Sequence, residues 1–462
     1  MLIAPAYLKN NVMKKAITYI IFMLLIGSSN GIAQTWASCG KFYHDPKALY
    51  NDTISKKLYV AGFDYLTTNS FVTTAVAAWD GNQWDTLGSG MLGVYDEFLI
   101  RYNNKLFVQR GLWVDTFTSI TRIFTWDFNT KKWDSLPQGL VNGTIKTAIP
   151  YNGDLIIVGV FNKIGSTTVH NIARYDGINF YPVGFPSFSV YIRTVEIYNN
   201  EIYIGGNFSG DTIRNAIAKW NGSQWVDVGG GFSQIGQPEV VKLKTYHNRL
   251  YAAGTFYGTK SNYMPSIGAW DGTKWNDIGG IRYNSFPWGV VYNMFELNNK
   301  LHVTGTFEQA GNVAVNNMAV WNDTNWCSVN ATFQTQVWVT TPFQNKIYVA
   351  GNEIINGDTV HLLGYNTYTN YIGNCGTLIS INEIDISNTI KIYPNPTTSL
   401  INIVDEQNEL QNTTIELRNP LGQTILSIPF SNQIDISNLS SGMYYLTIQD
   451  GSHKKIVKVV KE

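Results

Sequence analysis

Residues 57–62 read KLYVAG and residues 77–88 read AAWDGNQWDTLG, and variants of both recur along most of the chain. The first element returns as KLFVQR, DLIIVG, EIYIGG, RLYAAG, KLHVTG and KIYVAG, at intervals of 46 to 51 residues. Its leading aliphatic residues are Leu58, Leu106, Leu155, Ile202, Leu250, Leu301 and Ile347. The first aromatic residues of the second element are Trp79, Trp126, Tyr175, Trp220, Trp270, Trp321 and Tyr365. Seven copies in step indicate a repeat protein.

One copy of the repeat predicts four β-strands. Asp-Gly, Asn-Gly or Asn-Asp separates two aromatic segments in the second element, which is typical of a strand, a tight turn and a strand. A further apolar stretch precedes each KLYVAG-type strand, and an NN, NG or HN dipeptide marks the hairpin turn between them. Four strands in 40 to 50 residues is the period of a propeller blade.

The sequence therefore predicts an all-β protein with a seven-bladed β-propeller over residues 34–378, with six or eight blades as alternatives. The glycine-ended strand and the WDG…W…LG pattern resemble those of the kelch-like and galactose-oxidase-like propellers of secreted bacterial and fungal proteins. That resemblance covers about residues 36–376 and implies the fold without implying an activity, because this fold carries many unrelated functions.

The ends of the repeat offer two candidates for the closing strand. TWASCG, at residues 35–40, resembles the outermost strand of a blade, and so does NYIGNCG at residues 370–376. Cys39 and Cys375 each precede a glycine at the matching place, so we expect a disulfide between them. The third cysteine, Cys327, would then be free, and three unpaired thiols are the alternative.

The N-terminus has the pattern of a secretory signal peptide over residues 1–33, with Met13 as the expected start. Lys14 and Lys15 form a positive region, an apolar run over residues 16–26 follows, and Gly31 and Ala33 predict cleavage before Gln34. The apolar run is shorter than the roughly 20 residues that span a bilayer.

After a linker at residues 379–389, residues 390–462 have a different pattern of short strands broken by PNP, NPLG and SSG turns, which predicts a small immunoglobulin-like β-sandwich. This segment resembles the type A sorting domain of the Bacteroidetes type IX secretion system. The matching positions are Tyr393, Pro394, Asn395, Pro396, Gly422 and Gly442, followed by a lysine-rich end. The resemblance implies export across the outer membrane by the type IX machinery, followed by release or attachment to surface lipopolysaccharide.

Charge and motif patterns exclude several functions. Lys and Arg total 33, equal to Asp and Glu, so no nucleic-acid partner is expected. The six histidines are scattered, the sequence after the predicted cleavage site has no GxSxG or P-loop motif, and the cysteines lack metal-site spacing, so we predict no catalytic set, metal or cofactor. The aspartates of the WDG and YDG turns alternate with asparagine, which indicates a turn role rather than a carboxylate role.

The function expected from these features is a secreted or cell-surface binding module for a protein or a glycan. Trp113, Trp288 and Trp338 lie outside the repeat positions and are the candidate ligand-binding aromatics. One alternative is a carbohydrate-active enzyme, a glycosidase or lyase, with Glu97, Glu196 and Glu296 facing a central channel. A second alternative is a structural component of the cell surface.

Overall fold

The computed structural model describes residues 36–67, 72–88, 98–113, 119–184, 191–209, 215–233, 237–260, 262–283, 288–331, 333, 335–355, 358–366, 372–375, 390–405, 414–419, 423–450 and 453–462. The predicted signal peptide and linker lie outside these residues. The chain divides into two compact units, Met1–Leu378 and Ile379–Glu462. None of the described residues forms a helix that is long and apolar enough to cross a membrane.

The first unit is built from short β-strands. The first half of its chain contains β1 Trp36–Ser38, β2 Lys41–Tyr43, β3 Ala48–Asp52, β4 Lys57–Thr67, β5 Val72–Trp79, β6 Trp84–Thr86, β7 Leu99–Tyr102, β8 Lys105–Trp113, β9 Ser119–Asp127, β10 Lys132–Tyr151, β11 Asp154–Ile164, β12 Thr167–Thr168, β13 Ile172–Tyr175, β14 Phe180–Pro182, β15 Tyr191–Tyr198, β16 Glu201–Asn207, β17 Ile217–Trp220 and β18 Trp225–Asp227. The second half contains β19 Glu239–Tyr246, β20 Arg249–Thr255, β21 Ile267–Trp270, β22 Trp275–Asn276, β23 Ile281–Arg282, β24 Val290–Leu297, β25 Lys300–Thr306, β26 Gln309–Ala310, β27 Val313–Ala314, β28 Met318–Trp321, β29 Trp326–Val329, β30 Val339–Phe343, β31 Lys346–Ile355, β32 Asp358–Asn366 and β33 Ile372–Cys375.

Sets of four antiparallel strands recur through these residues. Set 1 is β3–β6, set 4 is β15–β18 and set 5 is β19–β22; set 6 is β24, β25, β28 and β29. Strand β10 belongs to two sets, because its first part pairs with β9 and its second part pairs with β11. Set 2 is therefore β7, β8, β9 and the start of β10, and set 3 is the end of β10 with β11, β13 and β14. Set 7 is β30, β31, β32 and β1.

The first strands of consecutive sets contact one another. The order of contact is β3, β7, the end of β10, β15, β19, β24 and β30, and β30 in turn contacts β3. Apolar side chains of neighbouring sets share core clusters, as where Leu301 of set 6 packs with Ala269 of set 5. The described sets thus bury their faces against one another, which is how a twisted sheet with two apolar faces excludes water.

Both kinds of turn adopt the geometry that the sequence predicts. The hairpin dipeptides, such as Asn199-Asn200 and Asn298-Asn299, have positive φ at both residues, which is the conformation of a type I′ turn. In the WDG-type turns, a side-chain oxygen of Asp80 or Asn221 accepts the N–H groups two and three residues further on. These bonds hold the pKa of Asp80 below its usual value. The predicted turn role of these residues is confirmed.

Indole N–H groups join the outer strands of neighbouring sets. Trp133 donates to the carbonyl of Leu87 at 2.8 Å, and Trp275 donates to the carbonyl of Val228 at 3.1 Å. The acceptor has the same position in every such bond: it lies three residues after the aromatic residue with which the outer strand of the preceding set begins, as Leu87 follows Trp84. The remaining described pairs are Trp84 with Cys39, Trp225 with Val183, and Trp326 with Ile278. The recurring tryptophans of the sequence therefore connect one set to the next.

The N-terminal strand occupies the fourth place of set 7. β1 pairs antiparallel with β32, Trp36 lying opposite Asn366, and Cys39 accepts the indole bond from Trp84 of set 1. The competing segment, NYIGNCG, contributes β33, which pairs instead with β29 at the edge of set 6. Of the two candidate closing strands, the structure places the N-terminal one in set 7.

The predicted disulfide between Cys39 and Cys375 is wrong. Strand β33 lies beside β29, so Cys375 comes directly opposite Cys327, and these two residues form the disulfide. Cys39 is unpaired and lies beside the carbonyl of Leu363. Burial raises the pKa of the Cys39 thiol to about 12.

The second unit has two facing sheets. Its strands are β34 Ile390–Tyr393, β35 Leu400–Asp405, β36 Thr414–Arg418, β37 Thr424–Pro429, β38 Gln433–Asp435, β39 Gly442–Asp450 and β40 His453–Lys461. One sheet has the order β34-β35-β38, and the other has the order β37-β36-β39-β40. Ile401, Ile434 and Leu446, drawn from both sheets, are buried in one core. The period-2 alternation of the sequence accounts for this arrangement, since it makes one face of each sheet apolar.

A histidine at one hairpin turn predicts a pH-dependent contact between sets 5 and 6. The ring nitrogens of His247 lie 2.6 Å from the Asp323 carboxylate and 2.7 Å from the Asn299 side-chain oxygen, and these bonds, Asn299 first, raise the pKa of His247. Glu296 adds a smaller charge effect in the same direction. Because these contacts favour protonated His247, they stabilise the folded state fully at pH values below the unfolded pKa of about 6.5. This contribution is lost as the pH rises through the pKa of His247 in the folded state.

We therefore expect thermal stability to fall slightly from pH 6 to pH 8, by at most about 1 kcal/mol because the pair is exposed. Asp323→Asn should flatten that part of the pH profile, whereas Asp85→Asn, which removes another exposed ion pair, should leave it unchanged. An identical slope in Asp323→Asn and the parent protein would contradict the prediction.

Candidate functional site

The described residues contain no group of three or more His, Cys, Asp or Glu side chains that could hold a metal ion. The candidate site residues are the predicted aromatics and carboxylates. Each set has two ends: the turn end carries the hairpin and WDG-type turns, and the loop end, opposite, is where the first strand of each set begins.

All three tryptophans that were predicted to bind a ligand lie at the loop end. Trp113 is the last residue of β8, which runs away from its hairpin turn; its side chain is outside the described part. Trp288 lies just before β24, and Trp338 immediately precedes β30. Residues from three different sets are thus brought to the same end of their strands, which their positions in the sequence do not reveal.

Trp338 is the most exposed tryptophan of the described residues. Its relative exposure is 57%, and its ring stacks flat on Tyr292, with ring centroids 4.1 Å apart and planes inclined by 9°. The Tyr292 hydroxyl is held by Gln336 at 3.3 Å and by Thr306 at 3.5 Å. One face of the Trp338 indole is supported by protein while the side chain remains largely open to solvent.

Other aromatic side chains at the loop end are also accessible. Trp288 is half-buried and packs edge-on against Tyr257, with centroids 5.0 Å apart. Tyr191, the first residue of β15, is 51% exposed, and Tyr263, between β20 and β21, is 52% exposed. The large exposed side chains that the structure describes at the turn end are instead aliphatic, such as Ile178. Within the described part of the first unit, the exposed aromatics therefore lie at the loop end.

The carboxylates proposed for catalysis occupy different environments. Glu196 on β15 is half-buried, and burial raises its pKa against the opposing charges of Lys244 and Lys242 on β19. Burial also disfavours the charged form of Lys242, and it therefore lowers the pKa of that side chain. Glu296 is exposed on β24, and its charge acts on Tyr246 and His247 near the turn end. Glu97 lies outside the described residues. The charges that act most on Glu196 are thus ammonium groups, not the second carboxylate that a glycosidase needs.

The sorting motif is tied to the last strand of the second unit. The Asn395 amide donates to the carbonyl of Lys458 at 2.6 Å and accepts the N–H of Val460 at 2.9 Å. Tyr393 is 50% exposed, and the peptides before Pro394 and Pro396 are both cis. Gly442 begins β39, and Gly422 lies outside the described part. The YPNP segment therefore holds the C-terminal strand through two hydrogen bonds between the Asn395 side chain and the backbone of that strand.

Sequence reasoning missed the partners of the two tryptophans. Tyr292, on β24, and Tyr257, just after β20, were not among the candidate residues. The signal that could have found them is a partial recurrence: Trp338 occupies the place equivalent to Tyr292 in the next copy, and Tyr65 occupies the place equivalent to Tyr257 in the first copy. It also missed a departure within the repeat itself, at Ile156 in DLIIVG, where other copies have a ring-bearing residue.

Comparison with known families gives a match at the C-terminus. Residues 391–462 match the secretion system C-terminal sorting domain. No curated protein matches the chain at a significant level. The protein is therefore an exported protein, secreted or held at the cell surface, that interacts with the type IX secretion machinery of Bacteroidetes.

Solved structures similar to the chain include extracellular domains from B. thetaiotaomicron. One is assigned to a one-component system and one to a hybrid two-component system; both are 12% identical, with TM-scores of 0.44 and 0.46. The alignments cover 93% of this chain and 58% and 59% of those chains. A third, from another hybrid two-component system, is 11% identical with a TM-score of 0.29, covering 90% of this chain and 72% of its own. The chain thus spans less than two thirds of the length of the first two.

Proposed function

We propose that this protein is an exported binding module: a signal peptide at residues 1–33, a seven-bladed β-propeller at residues 34–378, a linker and a sorting domain at residues 390–462. The propeller is supported by the series of first strands in contact from β3 to β30 and back to β3, and by the indole bonds between outer strands. A ring of radially packed sheets accounts for both.

The ligand that the loop end suits best is a glycan. The observation that carries this proposal is Trp338, more than half exposed and stacked on Tyr292. Sugar rings pack their C–H faces on flat, rigid aromatic surfaces, and a supported indole offers such a surface at little cost in conformational entropy. Exposed aromatics on two further sets, Tyr191 and Tyr263, extend the surface across the same end.

We expect Trp338→Ala to weaken binding to the glycan selected on an array by about tenfold or more, because a central aromatic anchor carries much of a binding energy. The measurement is an array screen with the parent protein, followed by calorimetry with both variants. Ile178→Ala is the matched control, since it truncates a side chain that is 76% exposed but lies at the turn end. Equal binding by Trp338→Ala and the parent protein would contradict the proposed surface.

A glycosidase or lyase is the second candidate, and Glu196 favours it, because its pKa is raised and it lies among first strands of the sets. Release of reducing sugar from the same polysaccharides, measured in parallel, separates the two. Release that disappears in Glu196→Gln would support an enzyme; binding without release supports the module.

A further inference from the structure

The turn end carries a groove between sets 3 and 4, and its origin is a break in the repeat. The residue after the leading aliphatic of each KLYVAG-type strand is ring-bearing in the other copies: Tyr59, Phe107, Tyr203, Tyr251, His302 and Tyr348. In set 3 that residue is Ile156.

In two of these copies the ring-bearing residue bonds to a tryptophan of the next set. Tyr348 accepts the indole N–H of Trp79 at 3.0 Å, and Tyr251 accepts that of Trp321 at 3.2 Å. Trp79 and Trp321 are accordingly buried, with exposures of 7% and 2%. In these two pairs the hydroxyl fills the space between two sets and satisfies the indole.

Ile156 can do neither for Trp220 of set 4. Its side chain is shorter and has no acceptor, and Trp220 is half-buried, with its indole N–H unpaired among the described residues. Ile156 and Trp220 both line a groove of about 920 Å³, which also runs past the hairpin turns of the two sets. That volume falls within the range of sites for small ligands.

The polar groups of the groove are charged but mutually neutralised. Arg174 pairs with Asp154 at 3.0 Å and lies over the Tyr181 ring, 4.5 Å from its centroid. Glu201 pairs with Lys219 at 2.9 Å. A ligand with net charge would have to break one of these pairs, whereas the spare lone pairs of both carboxylates can accept hydroxyl protons from a neutral ligand.

We propose that this groove is a binding site for a neutral oligosaccharide. The edge of Trp220 and the ring of Tyr181 supply apolar contact, Asp154 and Glu201 accept hydroxyl hydrogen bonds, and the unpaired indole N–H donates to a sugar oxygen in place of the missing tyrosine. The proposal is independent of the loop-end surface, because the two lie at opposite ends of the strands.

Ile156→Tyr tests the proposal by restoring the ring found in the other copies. It should fill the groove, provide an acceptor for Trp220 and leave thermal stability equal or higher, while the affinity falls at least about tenfold. Trp220→Phe should weaken binding through loss of the donor, and Trp338→Ala is the control that leaves the groove intact.

The probes are cellohexaose, maltohexaose, xylohexaose and mannohexaose, with hexagalacturonate as the charged comparison. The full chain labelled with ¹⁵N-tryptophan is titrated, and Trp220→Phe identifies the Trp220 indole signal. We expect one neutral hexasaccharide to shift that signal in the parent protein and in Trp338→Ala but not in Ile156→Tyr. The proposal is overturned if no neutral probe shifts it at millimolar concentration, if the charged probe binds best, or if Ile156→Tyr binds as the parent does.

Discussion

Removal of residues 391–462 is expected to abolish appearance of the protein outside the cell, because these residues match a secretion system sorting domain. The first unit has its own cores and divides from the second near Leu378, so it should fold and accumulate in the periplasm. Immunoblots of medium, cell surface and periplasm measure the result. Normal amounts of the truncated protein in the medium or at the surface would show that export does not need this domain.

A point substitution makes the same test without removing a domain. Asn395→Ala deletes the two hydrogen bonds with the C-terminal strand and should destabilise the second unit by about 1–3 kcal/mol. Asn432→Ala truncates an exposed amide in the same unit and is the control. We expect export to fall in Asn395→Ala and to stay normal in Asn432→Ala, because the Asn395 bonds position the last strand; equal export of the two variants would contradict this.

The second large effect is expected from Cys375→Ser, which removes the disulfide with Cys327. The bond joins residues 48 apart, and the chain-entropy model assigns a loop of that length about 4 kcal/mol of stability as an upper value. Equilibrium denaturation of the oxidised parent and variant proteins measures the difference. Cys39→Ser is the matched control, because Cys39 is unpaired and its replacement leaves the bond intact.

Peptide mapping of the free thiol distinguishes the two possible pairings independently of stability, because either bridge leaves one cysteine unpaired. The denatured, unreduced protein should expose one reactive thiol, which peptide mapping should assign to Cys39. In the native protein that thiol should react slowly at pH 8, because burial raises its pKa to about 12 and the thiolate is the reactive form. Mapping of a bridge to Cys39 would contradict the structure.

Much of the architecture could be predicted because it depends on neighbours in sequence. The Asn-Asn hairpins and the Asp80-type turns satisfy their hydrogen bonds within four residues, so their geometry follows from local residue types. The Trp275-type residues had to pack between copies because they recur once in each. The match of residues 391–462 to a sorting domain is likewise contained in the order of the residues.

The candidate site was harder to predict because its contacts cross between repeats. Trp338 could be singled out as an aromatic outside the pattern, but not its stacking on Tyr292, which belongs to the preceding set. The groove exists because Ile156 stands where the other copies have a ring-bearing residue. That replacement opens a groove only because Trp220 of the next set lies beside it. The local sequence of either residue alone is unremarkable for a β-strand.

By itself, the sequence determined the all-β class, the repeat, the turns and the sorting segment, because period-2 patterning and turn chemistry act over a few residues. Only the tertiary structure decided between TWASCG and NYIGNCG for the edge of β32, and therefore which cysteine Cys375 meets. Both segments can form an outer strand. The choice depends on which sheet edge each can reach once the sets have packed, and that is a property of contacts hundreds of residues apart.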